Sequence, residues 1–481
     1  MSWCLSPGSK LKAVLVRSTI LWHVDIMSNI SGLNLENIFL IFVSYVLVLL
    51  VNRKTNSESA IWLIAILTCH HVVAYLYAFY LSTPPNEVDP AGFMFLAQDC
   101  SALGYCGYLG QHLYANYLAK MLELGGSLYF VFLLNVLYFV ISIYFFLGIA
   151  EQLCLKRYRK TYLILYGMWP SVVYFTTLHY REPFELYLLI AGIYFGLTGS
   201  KSDSFLRMLT SMVLLLAMGF FHIKGLIYLS PILFLILSSY KMPLTVVSLG
   251  KKLVLLIAMC VGVYFAQSMY VSDLKSASNG YIETPVERIV AKKIVSSSDS
   301  NNETARKLRE SKRPAYEKYK IHQRSEFNVI DNFIKEVTYY RKAILRDGVP
   351  GTAFISNISD SSIPVFIATY FLVYLEYLFS PFIFQVDSFH SLLAYAESVL
   401  RLILFASTLV MLKRNPQTRV LFIIYLSITA MWAIGVISFG ASIRHHTQTN
   451  WILVLLGVPI ISEYISSKFR LKREKMDIVS R

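Results

Sequence analysis

The chain has 481 residues, 56% of them hydrophobic and only 15% charged, whereas soluble domains run to about a quarter charged. With a mean hydropathy of +0.54 and repeated apolar runs of about 20 residues, long enough to cross hydrocarbon as helices, it reads as an all-α integral membrane protein. The runs do not alternate in period two, which excludes a barrel, and the formal charge of +15 does not point to nucleic acid, because the basic residues cluster in short segments between apolar runs, as cytoplasmic loops do.

Residues 1–36 make an N-terminal extension without a cleavable-signal pattern, and Met27 opens a cleaner segment that would serve as an alternative start. A first span over 37–51 stops at Asn52-Arg53-Lys54 and reads as inward; a second over 60–81 then emerges outside. In the first outward loop, 82–122, residues 90–120 are too interrupted by Gly, Asn, Gln and Asp to span. They are rich in Leu, Tyr and Phe, and so read as interfacial helices. Spans follow at 123–150, 161–178, 183–199, 205–221, 224–239 and 252–271, alternately inward and outward, completing an N-terminal transmembrane core over 37–271. The inward ends carry basic residues such as Lys156 to Lys160 and Lys241.

Residues 272–360 are a polar segment that alternation places outside; its excess of basic residues argues for the inside, but that rule is weak in loops beyond about 60 residues. In the C-terminal transmembrane region, 361–467, spans at 392–412, 418–438 and 451–467 lead to a basic cytoplasmic tail, 468–481. This leaves 361–383 either to dip into the membrane and return or to cross with a further partner. Pro381 favours a re-entrant segment, tolerated only where protein buries it. The total is about 11–12 helices. No internal repeat is visible, so an inverted-repeat transporter gains no support. Of six cysteines only Cys100 and Cys106 share an outward loop; packing is the preferred role, with a disulfide in an oxidising compartment as the alternative.

The outward ends collect Glu87, Asp89 and Asp99; His179, Arg181 and Glu182; His222 and Lys224; and Arg444, His445 and His446. Ionisable groups at membrane depth are costly unless paired or functional. A carboxylate there can take a proton from a hydroxyl, and cations can hold a phosphate as charge develops on it. Each also has a plainer reading. Asp89 before Pro90 is a good helix cap and first turn, Arg181 and Glu182 suit an interfacial anchor, and Lys224 can snorkel. Adjacent histidines cannot both face one metal from a helix, where ligands come at i and i+4, so His445 and His446 suit phosphate or sugar contacts better than zinc. His70 and His71, mid-span, read as hydrogen-bonding within the bundle.

Asp89, Phe93 and Ala97 fall on the acid, aromatic and small positions of a motif in the first outward loop of GT-C membrane glycosyltransferases. Three further segments, 178–195 around Arg181, 377–385 around Pro381 and 443–458 around Arg444, match in order over most of residues 60–465. On these residues the chain resembles bacterial GT-C-type polytopic membrane glycosyltransferases of the mannosyltransferase and Rgt-like group. The resemblance implies a GT-C-like fold and transfer of a sugar from a polyprenyl-phosphate-linked donor to a glycan or lipid acceptor at the periplasmic face of a bacterial inner membrane. Asp89 would be the catalytic base, and Arg181 and Arg444 phosphate or acceptor contacts. Glu87, Asp99, Glu182, His222, Lys224, His445 and His446 complete the expected binding set, and a divalent metal stays open, with Glu87 and Asp99 as helpers to Asp89.

The chain departs from that pattern at three places. Pro90 stands where a second acid is common, which weakens a metal-dependent variant. Ile383 and Phe384 replace Pro-Trp, and His446 replaces a second Arg, with only partial charge at neutral pH. A lipid-linked donor is expected because the sequence has no soluble α/β domain, Gly-rich phosphate loop or cytoplasmic D-x-D for a nucleotide sugar. The alternatives are a polymerase of lipid-linked O-antigen or capsule repeat units, which shares the outward arginines and large outward loop, and a transporter of lipid-linked glycans.

Overall fold

The computed structural model describes residues 34–53, 57–81, 93–94, 96–97, 100–101, 110–125, 127–222, 226–240, 246–279, 334–335, 337–338, 341, 353–359 and 362–479. An apolar chain that must satisfy its own backbone has the helix as its local solution. Among the described residues the only extended pairing is a bridge between Ala353 and Ser438. The helices in chain order are α1 (Leu35–Arg53), α2 (Ser57–Phe79), α3 (Gly110–Gly125), α4 (Leu128–Gln152), α5 (Arg159–Gly167), α6 (Pro170–Thr176), α7 (Glu182–Ser202) and α8 (Phe205–Phe221). Then come α9 (Leu226–Ser238), α10 (Val246–Asn279), α11 (Ile363–Phe379), α12 (Phe389–Arg414), α13 (Arg419–Gly435), α14 (Phe439–His446) and α15 (Asn450–Val479). Six stretches, within α2, α4, α10, α12, α13 and α15, are long and apolar enough to cross a membrane, and four shorter apolar helices accompany them. This is the pattern of a multi-pass membrane protein.

Two sequence-drawn spans are redrawn. The span expected over 161–178 is two helices, because Pro170 cannot continue α5 and instead opens α6. The span expected to begin at 123 begins at Leu128, capped by Ser127, whose hydroxyl accepts from the Phe130 amide. The residues before it form α3, which buries Tyr114, Ala115, Leu118 and Ala119 and exposes Lys120 and Leu124, as an interfacial helix would. Cys100, expected as a packing thiol, is disulfide-bonded. Its partner lies outside the described residues, and Cys69, Cys154 and Cys260 are free.

The chain ends predicted to face one way do meet. At one end Arg157, Arg414 and the Tyr158 hydroxyl converge on Glu463. Lys201 reaches Gln152, Asp203 holds Ser248 and Lys251, and Tyr240 reaches Gln417. Asp203 makes the tight α7–α8 turn in the left-handed region, φ 48°, a conformation Asp adopts more readily than most residues. At the opposite end, called outer below, lie the starts of α7 and α15, the ends of α8 and α13, and α14. Arg341, from the long polar segment, is buried at this outer end and donates to the Ala433, Ile434 and Val436 carbonyls that close α13.

The segment 363–388 turns back on itself within the helical bundle. Tyr370 bonds the Ala430 carbonyl and Tyr374 reaches Leu426 and Thr429, so α11 descends antiparallel to α13. It stops at Phe379, beside Ser398 and Phe405 of α12. The chain then passes the cis Ser380–Pro381 bond and a 3-10 turn, Ile383–Gln385, to start α12 at Phe389. Arg401 lies twelve residues further on, about 18 Å along the helix. A half-helix ending inside the bundle leaves orphan carbonyls, and the last three are each met by a side chain. His446 donates to Tyr377 O (2.8 Å), Arg401 to Leu378 O (3.0 Å) and Ser398 to Phe379 O.

Candidate functional site

The loop from α6 to α7 is pinned before any charge is considered. Asn135 of α4 donates to the carbonyls of Leu178 and Tyr180, and the Tyr114 hydroxyl of α3 donates to that of His179 (3.0 Å). This anchoring sets Arg181 immediately before α7, with Glu182 and Glu185 in its first turn, where carboxylates are favoured by the helix dipole. Pro183 needs no amide partner there.

Around that turn a closed network forms. Arg444 Nε pairs with Glu182 Oε1 at 2.5 Å. Glu185 Oε1 accepts from His222 Nδ1 at 3.0 Å and lies 3.4 Å from Arg181 Nε, while its Oε2 accepts from Gln448 Nε2 at 2.6 Å. Arg181 also donates to the Phe221 carbonyl (3.2 Å) and to His222 Nε2 (3.1 Å). Trp432 Nε1 donates to Gln448 Oε1 at 3.1 Å, which fixes the amide's orientation. Its indole stacks on His445 at 3.7 Å and meets the His222 ring edge-on at 4.5 Å. Arg444 lies over Tyr180 and Arg181 over Phe93, at 5.0 and 5.4 Å, each a cation–π contact.

The donors settle the charge state of His222. A guanidinium can only donate, so Nε2 accepts, the ring is neutral, and its one proton sits on Nδ1 facing Glu185. Burial, then the nearby Arg181, holds its pKa below the ordinary histidine value, with Glu185 pulling the other way. His445 is held well below that value by burial and by Arg444, His222 and Arg181. Glu182 and Glu185 therefore balance Arg181 and Arg444, with both histidines neutral. Glu182 and Glu185 are 1% and 0% exposed, and an unpaired charge at such depth is strongly destabilising.

Arg181, Glu182, His222, Arg444 and His445 are thus brought together. His446 turns the other way, capping α11 through Tyr377 O, so the two histidines diverge. His179 stacks on Phe132. His70 and His71 hydrogen-bond within the bundle, to Gly167 O and Ser44. Glu87, Asp89, Asp99 and Lys224 lie outside the described residues. The later motif positions are described: Phe93 and Ala97 are buried with Cys100, Tyr114 and Leu118, and Phe93 is the ring over Arg181. Sequence reasoning missed Glu185, Gln448 and Trp432. The i, i+4 spacing of Arg181 and Glu185 was a usable signal; Gln448 and Trp432 are joined to α7 only through the fold.

Among the described residues no group of three His, Cys, Asp or Glu is placed to hold a metal ion. No protein-family model, curated protein or solved structure matches this chain.

Proposed function

We propose that the chain is an integral membrane glycosyltransferase of GT-C type, moving a sugar from a polyprenyl-phosphate-linked donor to a cell-envelope glycan or lipid acceptor on the periplasmic side of a bacterial inner membrane. The observation that carries this reading is the contact of Phe93 with Arg181. Asp89 precedes Phe93 by four residues in the sequence, which supports assigning the two to one site with the outer arginines. The reading needs both parts in one place: a carboxylate to take the acceptor's proton and cations to meet the charge developing on the leaving phosphate. Asp89 has the first role and Arg181 and Arg444 the second, with Glu87, Asp99 and Lys224 nearby in sequence as further substrate contacts. The disulfide at Cys100 supports an oxidising compartment on that side.

A repeat-unit polymerase is the second reading, favoured by the burial of Arg341 from the large outward segment at the same end. The host's surface glycans, compared on a gel between wild type and deletion strain, separate the two. The transferase predicts a uniform small shift, as if one sugar were missing. Collapse of a ladder to single repeats would replace it with the polymerase, and an unchanged profile would contradict both.

A further inference from the structure

The following rests on the reading of a phosphate-linked donor at the outer cluster. We propose that His222 is the proton acceptor that matches the charge developing on the leaving phosphate: Arg181 gives up its hydrogen bond to Nε2 to bind the phosphate, and the vacated Nε2 takes a proton from solvent.

The proton passed to the base balances the transfer overall, but negative charge builds up locally on the leaving phosphate. The C1–O bond to the phosphate breaks with its electron pair passing to the phosphate oxygen, the acceptor oxygen bonds C1, and the acceptor's hydroxyl proton goes to the base. A phosphodiester with a single negative charge thereby becomes a monoester with up to two near neutral pH. Among the described groups the cluster holds no positive charge in reserve, since Glu185 and Glu182 already balance Arg181 and Arg444. Protonating a neutral histidine supplies the missing charge.

The geometry selects His222 over its neighbours. Its Nε2 is occupied by a single donor, Arg181 Nη2 at 3.1 Å, so moving that guanidinium toward a phosphate frees the nitrogen in the same step. Its Nδ1 stays bonded to Glu185 Oε1 at 3.0 Å, a carboxylate already placed to hold an imidazolium. The groups facing it are Arg181 just before α7, Glu182 and Glu185 from α7, the Trp432 ring from α13, and His445 from α14, whose neighbour Arg444 pairs with Glu182. His445 has no such carboxylate: its Nδ1 is buried without a partner and its ring lies on Trp432. His446 spends Nε2 on Tyr377 O, on the far side of α14. Burial and Arg181 keep His222 neutral at rest and with the singly charged diester bound; Arg181 leaves Nε2, and the proton is taken up, only when the phosphate gains its second negative charge.

The test is calorimetry of the purified full chain in detergent, at about pH 8, in buffers of different ionisation enthalpy. Dodecyl phosphate stands for the monoester product and dodecyl methyl phosphate for the diester donor. Binding of the monoester should take up about one proton and binding of the diester about none, and monoester affinity should rise up to about tenfold per unit fall in pH. His222→Gln should still bind the monoester but without proton uptake. Monoester binding with no uptake, or uptake that persists in His222→Gln, would overturn the proposal and leave the glycosyltransferase reading standing. Failure of both probes to bind would remove the phosphate site and that reading with it. Where the variant does not fold, the phosphorus NMR shift of the monoester bound to the wild type decides: a dianionic phosphate alongside proton uptake places the proton on the protein, as proposed, and a protonated phosphate would overturn the proposal.

Discussion

Glu185 accepts on both oxygens, from His222 and Gln448, and lies against Arg181, so its charge is what makes the burial of that arginine tolerable. Glu185→Gln should cost about 3–5 kcal/mol, the range for leaving one partner of a buried pair uncompensated, read as a lowered midpoint of thermal unfolding in detergent. Gln448→Leu, which removes one charge-assisted donor, should cost about 1–3 kcal/mol. Equal stability of Glu185→Gln and wild type would mean that Arg181 is solvated. The histidines add a pH dependence with a definite sign. His222 and His445 are held neutral in the fold, below their ordinary pKa, so below about pH 6.5 the unfolded chain binds protons that the folded one refuses. Stability should be full above that pH and fall below it, and His445→Gln should flatten the slope. An unchanged midpoint between about pH 7.5 and 5.5 would contradict the neutral assignment. At this scale the sequence was only partly legible. Arg181, Glu182, His222 and Arg444 stood out because charges are rare at the ends of apolar runs, whereas the hydrogen bond from Trp432 to Gln448 exists only once α13 turns back through α14 to α15.

Among the elements, α11 shows how much a single proline discloses. Pro381 in an apolar run marked a helix that could not continue, and the structure ends α11 two residues earlier. Its carbonyls are held by His446, Arg401 and Ser398. What the sequence withheld was the identity of those caps, because they come from two other helices. Arg401→Met removes the donor to Leu378 O and takes away a positive charge one turn from Glu397, itself 4% exposed. Hydrogen exchange should then rise across 380–388 while α4 and α7 stay protected; unchanged exchange there would show that Arg401 does not hold the turn. A similar argument applies where α12 meets α15. A Cβ on Gly457 would stand 2.7 Å from the Leu404 carbonyl oxygen, backbone that cannot swing aside, so Gly457→Ala should push the helices apart at about 1–3 kcal/mol, the cost of overpacking. A midpoint equal to wild type would mean that the two backbones separate freely.

Over the whole molecule, the all-α, multi-pass character was the most legible feature, because the lengths of apolar runs register all along the chain. The redrawn boundaries, Pro170 and the separate α3, are local breaks within that pattern. Cys154, free and exposed beside Lys156 and Arg157, offers a direct check. A membrane-impermeant maleimide should leave it unlabelled in intact cells and label it in inverted vesicles; the reverse would turn the protein over and place the arginine cluster in the cytoplasm. The central claim, that this cluster and the Asp89 loop together transfer a sugar, is tested most directly by Asp89→Asn expressed in the deletion strain, with abundance and surface glycans measured side by side. The account predicts wild-type abundance with the glycan profile of the deletion. Restoration of the wild-type glycan profile would contradict it.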